Sequence, residues 1–177
     1  MWREIPDQKV AARALIRAGR RARPAAAREV DGQSIAEHLG TLLGGMAIGH
    51  VAAYTALPTE PPTEACLQLL RALGWTVMLP MLLADNDLAW EDGTTHGPEN
   101  IAHATVLVVP ALAIDRSGQR LGQGGGSYDR ALARRAQDSL VVALVYDDEL
   151  VAAVPSEPHD LGVDAVITPG RGITRFD

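Results

Sequence analysis

Val109-Pro-Ala-Leu-Ala-Ile-Asp-Arg-Ser-Gly-Gln-Arg-Leu-Gly-Gln-Gly-Gly-Gly-Ser-Tyr-Asp-Arg130 is the stretch that decides how this chain reads. A β-branched run, Thr105 to Val109, leads in as a strand, and Tyr128 to Ala136 leads out as a helix. Between them stand Gly122, Gly124, Gly125 and Gly126. Glycines permit positive φ and close backbone approach, so successive amides can converge on one anion. The following helix adds its positive end, and Arg120 adds a fork for a phosphate oxygen. The loop is not a Walker A sequence, because no Lys-Ser or Lys-Thr follows the glycines. Nor is it GxGxxG, because Ser127 holds the third glycine position. Phosphate binding is the reading this pattern favours over a turn chosen for tight packing.

Outward from the loop, helices alternate with apolar strands. Pro6 to Ala22 reads as a helix interrupted before Pro24. A second helix, capped at Asp31 or Ser34, runs to Leu43 ahead of Gly44 and Gly45. Met46 to Tyr54 reads as a buried strand, Thr63 to Leu73 as a helix ended by Gly74, and Trp75 to Leu79 as a strand stopped by Pro80. Asp85 to Asn100 is polar and reads as a surface loop. Leu140 to Tyr146 and Ala165 to Thr168 read as the remaining strands, the second being the last. This order predicts an α/β fold with a parallel sheet covered on both faces. No internal repeat interrupts it, and residues 1–177 are expected to form one domain.

With 47% apolar residues in 177, the chain can bury a core, but aromatics at 4% leave it to Ala, Val and Leu. A net charge of -6 argues against non-specific nucleic-acid binding, which needs a basic surface. No hydrophobic run reaches membrane-spanning length and no signal-peptide core opens the chain, so a cytoplasmic protein is expected. Arg13, Arg17, Arg20, Arg21, Arg23 and Arg28 crowd the N-terminal segment and read as a solvated helix face. Lys9 is the one lysine in the chain, which singles it out as a specific contact. Cys66, the one cysteine, excludes an internal disulfide and sits in an apolar helical stretch as a structural thiol. His38 and His50 read as structural, His96 and His103 lack metal-site spacing, and His159 reads as shaping its turn.

Leu112 to Arg130 resembles the signature of the 5-formyltetrahydrofolate cyclo-ligase family. Further matches keep that family's order: Lys9-x-x-x-Arg13, the Glu-x-x-Thr segment Glu60 to Thr63, Gly74 to Pro80, Val154-Pro-Ser-Glu-Pro-His-Asp160, and Val163-Asp164. The resemblance implies a three-layer α/β/α sandwich with a mainly parallel sheet, like the sugar-phosphate isomerase and CoA-transferase-like folds. It implies ATP- and Mg²⁺-dependent cyclisation of 5-formyltetrahydrofolate to 5,10-methenyltetrahydrofolate, with release of ADP and phosphate. Carried over by position, Lys9, Arg13, Arg120, Leu121, Gly122, Gln123, Gly124, Gly125, Gly126, Ser127 and Tyr128 would hold the nucleotide. Arg120, Gln123 and Tyr128 would act in catalysis. Thr55, Glu60, Gln123 and Ser127 would meet the reduced folate, and Asp129 and Asp164 would bind magnesium. A monomer or homodimer acting on a small molecule is expected, with no nucleic acid and no membrane. A catalytically weak nucleotide- or folate-binding paralogue and a phosphosugar isomerase are the alternatives.

Three positions depart from the family pattern. Ser127 stands where an aromatic is usual, leaving no ring to stack on the pterin, with Trp90 a candidate replacement. Gln123 stands where a basic residue is frequent, and the segment Trp90 to Asn100 is short.

Overall fold

The computed structural model describes residues 3–157 and 160–176, so the His159 reading lies outside the described residues. Helices α1 (Lys9–Arg21) and α2 (Ala25–Leu43) open the chain. The parallel strands are β1 (His50–Ala52), β2 (Thr76–Leu82), β5 (Ala104–Pro110), β8 (Leu140–Leu144) and β9 (Ala165–Thr168). Antiparallel strands extend the two edges: β3 (Leu88–Glu91) and β4 (Thr95–His96) beyond β2, and β10 (Gly172–Arg175) beyond β9. The resulting sheet has the order β10-β9-β8-β5-β1-β2-β3-β4. A separate small hairpin pairs β6 (Ala113–Ile114) with β7 (Arg120–Leu121).

The layers follow from alternation along the central strands. Val106 and Val108 of β5, with Val142 and Leu144 of β8, face a core closed by α2 and by α3 (Glu64–Ala72). Leu107 and Val109, with Val141 and Ala143, face a second core that takes in Trp90, Ile101 and α4 (Ser127–Ala133). Helix α1 packs Ala12 and Ile16 onto the β6–β7 hairpin and Val151. The fold is thus the expected α/β sandwich with a mainly parallel sheet. Cys66 lies in the first core at 2% exposure, and burial pushes its thiol up to about 12, consistent with an inert structural thiol. No helix among the described residues is long and apolar enough to cross a membrane.

Several boundaries differ from expectation. Helix α1 starts at Lys9 rather than at Pro6. Helix α2 starts at Ala25, directly after an extended Pro24, because Ala25, Ala26 and Ala27 are strong helix formers. Strand β1 is confined to His50–Ala52, and α4 ends at Ala133. Strand β2 runs through Pro80 to Leu82. Leu83 donates its amide to Asp87, so by antiparallel alternation Pro80 falls in a non-hydrogen-bonded pair with Trp90. Its missing N–H would face the β1 side, where ladder pairing already stops at Ala52–Met78, so nothing is lost. The polar stretch 85–100 holds the β3–β4 hairpin, with Leu88, Ala89 and Trp90 buried. Strand β9 is not the last, since β10 pairs back on it.

One glycine is fixed by the packing between layers. Gly118 has φ +80°, and a Cβ there would lie 2.7 Å from the Val163 carbonyl oxygen and 2.9 Å from the Phe176 ring. Gly118→Ala is expected to cost about 2–3 kcal/mol, lowering Tm by roughly 4–12 °C. Thermal unfolding checks this, and an unchanged Tm would contradict the packing described.

Candidate active site

Strand β1 lies inside the sheet, between β5 and β2. The chain leaves it on one side to β2 and later returns on the other side to β5. Open α/β sheets bind ligands at the carboxyl ends of the strands flanking such a switch point. A cleft of about 470 Å³ lies there, within the size range of small-molecule sites. Tyr54 and Thr55 follow β1 into it, Pro80 and Leu82 come from β2, and Pro110 ends β5. These strand ends are functional positions that the sequence reading missed apart from Thr55. The topology could have pointed to them, because apolar strands of this kind end at the site.

The glycine loop, Arg120 to Ser127, also lines the cleft. Gly124 at φ +107° and Gly126 at φ +70° turn the chain where a side chain would be strained. Arg120 is buried in β7, with 3% of its side chain exposed. Its Nη2 donates to Asp129 Oδ1 at 2.6 Å and its Nη1 to the Pro110 carbonyl at 3.4 Å. Burial pushes the Tyr128 phenol well up and the charge of Glu60 adds to this, so the hydroxyl remains a neutral donor.

Helix α1 grips this loop, so the reading of the N-terminal arginines as a solvated face holds for the exposed Arg21 but not for the other five. Arg13 Nε donates to the Gly122 carbonyl at 2.9 Å, and Arg17 reaches Gln123. Arg20 is 1% exposed and forks onto Glu149 at 2.7 and 2.8 Å, also donating to the Ala111 carbonyl at 2.6 Å. Arg23 pairs with Asp148 at 2.6 Å and lies 3.8 Å over the Tyr146 ring, and Arg28 donates to the Pro58 carbonyl. Lys9 lines the cleft as expected of a specific contact, held at 2.7 Å by both Glu157 and Asp160. Burial works against its charge, but those two hydrogen bonds outweigh it and hold the ammonium above the ordinary lysine value.

On the apolar side stand Leu57, Pro80, Leu82 and Leu88, with Tyr54 behind them. Glu60 is 4% exposed; its Oε2 accepts the Leu57 amide at 2.9 Å and its Oε1 the Gln123 side chain at 3.2 Å. Among the described residues the buried Tyr54 hydroxyl has no hydrogen-bond partner, and desolvation raises its pKa well above the phenol value. Trp90 is buried in the second core and does not line the cleft, so it does not replace the ring absent at Ser127.

The two aspartates are not brought together. Asp129 lines the cleft, whereas Asp164 precedes β9 at the amino ends of the strands and accepts the Val141 amide at 2.7 Å. Among the described residues no three His, Cys, Asp or Glu side chains converge on a metal-sized site. Four carboxylates line the cleft: Glu60 accepts from Leu57 and Gln123, Glu157 and Asp160 hold Lys9, and Asp129 pairs with Arg120. Of the two aspartates expected to bind metal, Asp129 alone is placed to ligate a hard cation in the cleft, beside phosphate and water oxygens, an arrangement Mg²⁺ accepts.

A switch-point cleft lined by a glycine loop and three basic residues, and by apolar side chains with a buried acid, defines a small-molecule site. The family model for 5-formyltetrahydrofolate cyclo-ligases matches residues 6–169, and the chain belongs to that family of enzymes. It is 40% identical over 194 residues to a 5-formyltetrahydrofolate cyclo-ligase of Mycolicibacterium smegmatis, covering 95% of this chain and 97% of that protein. A protein of the same name in Escherichia coli is 28% identical over 178 residues, covering 89% and 98%. A solved structure of a 5,10-methenyltetrahydrofolate synthetase from Mycoplasma pneumoniae superposes with a TM-score of 0.80 at 20% identity, covering 92% of this chain and 99% of that one.

Proposed function

We propose that the protein is a cytoplasmic enzyme that closes 5-formyltetrahydrofolate to 5,10-methenyltetrahydrofolate, consuming ATP with Mg²⁺ and releasing ADP and phosphate. The observation that carries this reading is the lining of one cleft by two kinds of residue: Lys9, Arg13, Arg120 and the glycine loop, together with Glu60, Tyr54 and the leucines. ATP, when bound, supplies a transferable phosphoryl group that turns the formyl oxygen into a leaving group. The residues of the chain position and neutralise charge. Arg120 and the loop amides hold phosphate oxygens, and Asp129 holds the magnesium. Lys9, held in place by Glu157 and Asp160, adds a positive charge beside the phosphates. The apolar wall seats the pterin and excludes water, and Glu60 accepts from its ring N–H groups.

The protein incubated with ATP, Mg²⁺ and 5-formyltetrahydrofolate is expected to produce methenyl absorbance, and omission of either ATP or Mg²⁺ to abolish it. ATP-Mg²⁺ alone should raise Tm, since a ligand at about 100 times its Kd stabilises the native state by about 2.7 kcal/mol. No product and no shift at millimolar ATP would remove this reading.

A further inference from the structure

Arg17 lies one turn beyond Arg13 on α1 and does not line the cleft, yet it makes three hydrogen bonds to one loop residue. Its Nη2 donates to the Gln123 carbonyl at 2.9 Å and to Gln123 Oε1 at 2.8 Å, and its Nε to Oε1 at 3.2 Å. A guanidinium only donates, whereas a glutamine amide has one accepting and one donating end. Arg17 therefore takes the accepting end and leaves the donating end for the cleft. There Gln123 Nε2 meets Glu60 Oε1 at 3.2 Å. Glu60 is itself fixed by the Leu57 amide at 2.9 Å. The chain Arg17–Gln123–Glu60 thus spans from α1 across the glycine loop to the segment after β1.

We propose that Arg17 is a positioning residue: it locks the Gln123 amide with its N–H groups facing the folate side of the cleft. A substrate group that replaces Gln123 on Glu60 meets a donor already oriented. The same fork holds the Gln123 carbonyl, so the loop enters its Gly124 turn at φ +107° from a fixed point.

The experiment has two arms. In nitrogen–proton correlation spectra of the substrate-free protein, the Gln123 side-chain amide, identified by its loss in Gln123→Glu, is expected to be dispersed. In Arg17→Ala it should move to the position of a free glutamine. An unmoved signal would overturn the lock. The second arm measures KM for 5-formyltetrahydrofolate and rests on the proposed function. Arg17→Ala should raise KM about tenfold, the scale of one lost hydrogen bond, with kcat changed less than about threefold. A KM for Arg17→Ala within about threefold of the parent would overturn the positioning role. A parent protein without turnover would instead remove the proposed function, and the spectra alone would then decide the role of Arg17.

Discussion

Arg120→Ala is expected to lower kcat for ring closure by about 10²–10³, the loss typical when one preorganised donor to a developing oxyanion is removed. The geometry explains why nothing else can substitute. Arg120 projects from β7, its side chain is 3% exposed, and its Nε has no partner among the described residues. It is a desolvated cation held in place at the cleft by Asp129 and Pro110. Lys9 and Arg13 approach from α1 and cannot reach the same point without leaving their own contacts. Stability should change much less, because the partner left behind, Asp129, has 27% of its side chain exposed and can take up water. Arg120→Lys should recover only part of the rate, since an ammonium keeps the charge but not the fork. The check is methenyl production by each variant alongside its Tm. A kcat within about threefold of the parent would show that the fork does not meet the transferring group, because one charged hydrogen bond is worth more than that.

The largest loss of stability is expected from Glu149→Ala. Arg20 and Glu149 are buried together, with side chains 1% and 3% exposed, and one Arg20 nitrogen, Nη1, already lacks a partner among the described residues. Burial works against the Arg20 charge, but the hydrogen bonds and charge of Glu149 outweigh it and hold the guanidinium above its ordinary value. Glu149 also accepts the Tyr146 amide at 2.9 Å. Removing the carboxylate strands a buried cation, which costs about 3–5 kcal/mol, or roughly 6–20 °C in Tm for a chain of this size. Glu149→Gln should fall in between, because it keeps the shape and one acceptor. Since Arg20 anchors the helix that carries Lys9, Arg13 and Arg17, ATP-Mg²⁺ affinity should fall with Tm. A drop under about 2 °C would mean that the guanidinium finds other partners or water.

What the sequence determined by itself is what local pattern encodes. The β-branched run before the loop became β5, and the apolar runs around it became central strands whose alternating residues fill two cores. The loop glycines marked a backbone that turns through positive φ at Gly124 and Gly126. The i, i+4 spacing of Lys9 and Arg13 put both on the cleft side of α1, because helical periodicity is independent of what lies opposite. What only the tertiary structure decided is who meets whom across long stretches of chain. Arg20 and Glu149 are 129 residues apart, and Arg17 and Gln123 are 106 apart, so no window of sequence shows that these arginines are clamps. Leu88 to Trp90 looked like part of a polar loop because three apolar residues become a strand only when β2 offers them an edge. Pro80 looked like a stop because its missing amide is harmless only where β1 has already ended. Asp129 and Asp164 looked like a pair, yet the parallel sheet sends one to the carboxyl ends of the strands and the other to the amino ends. A residue type and a position in a motif specify chemistry. Distance in space is set by the topology of the sheet, which arises from the burial of many side chains at once.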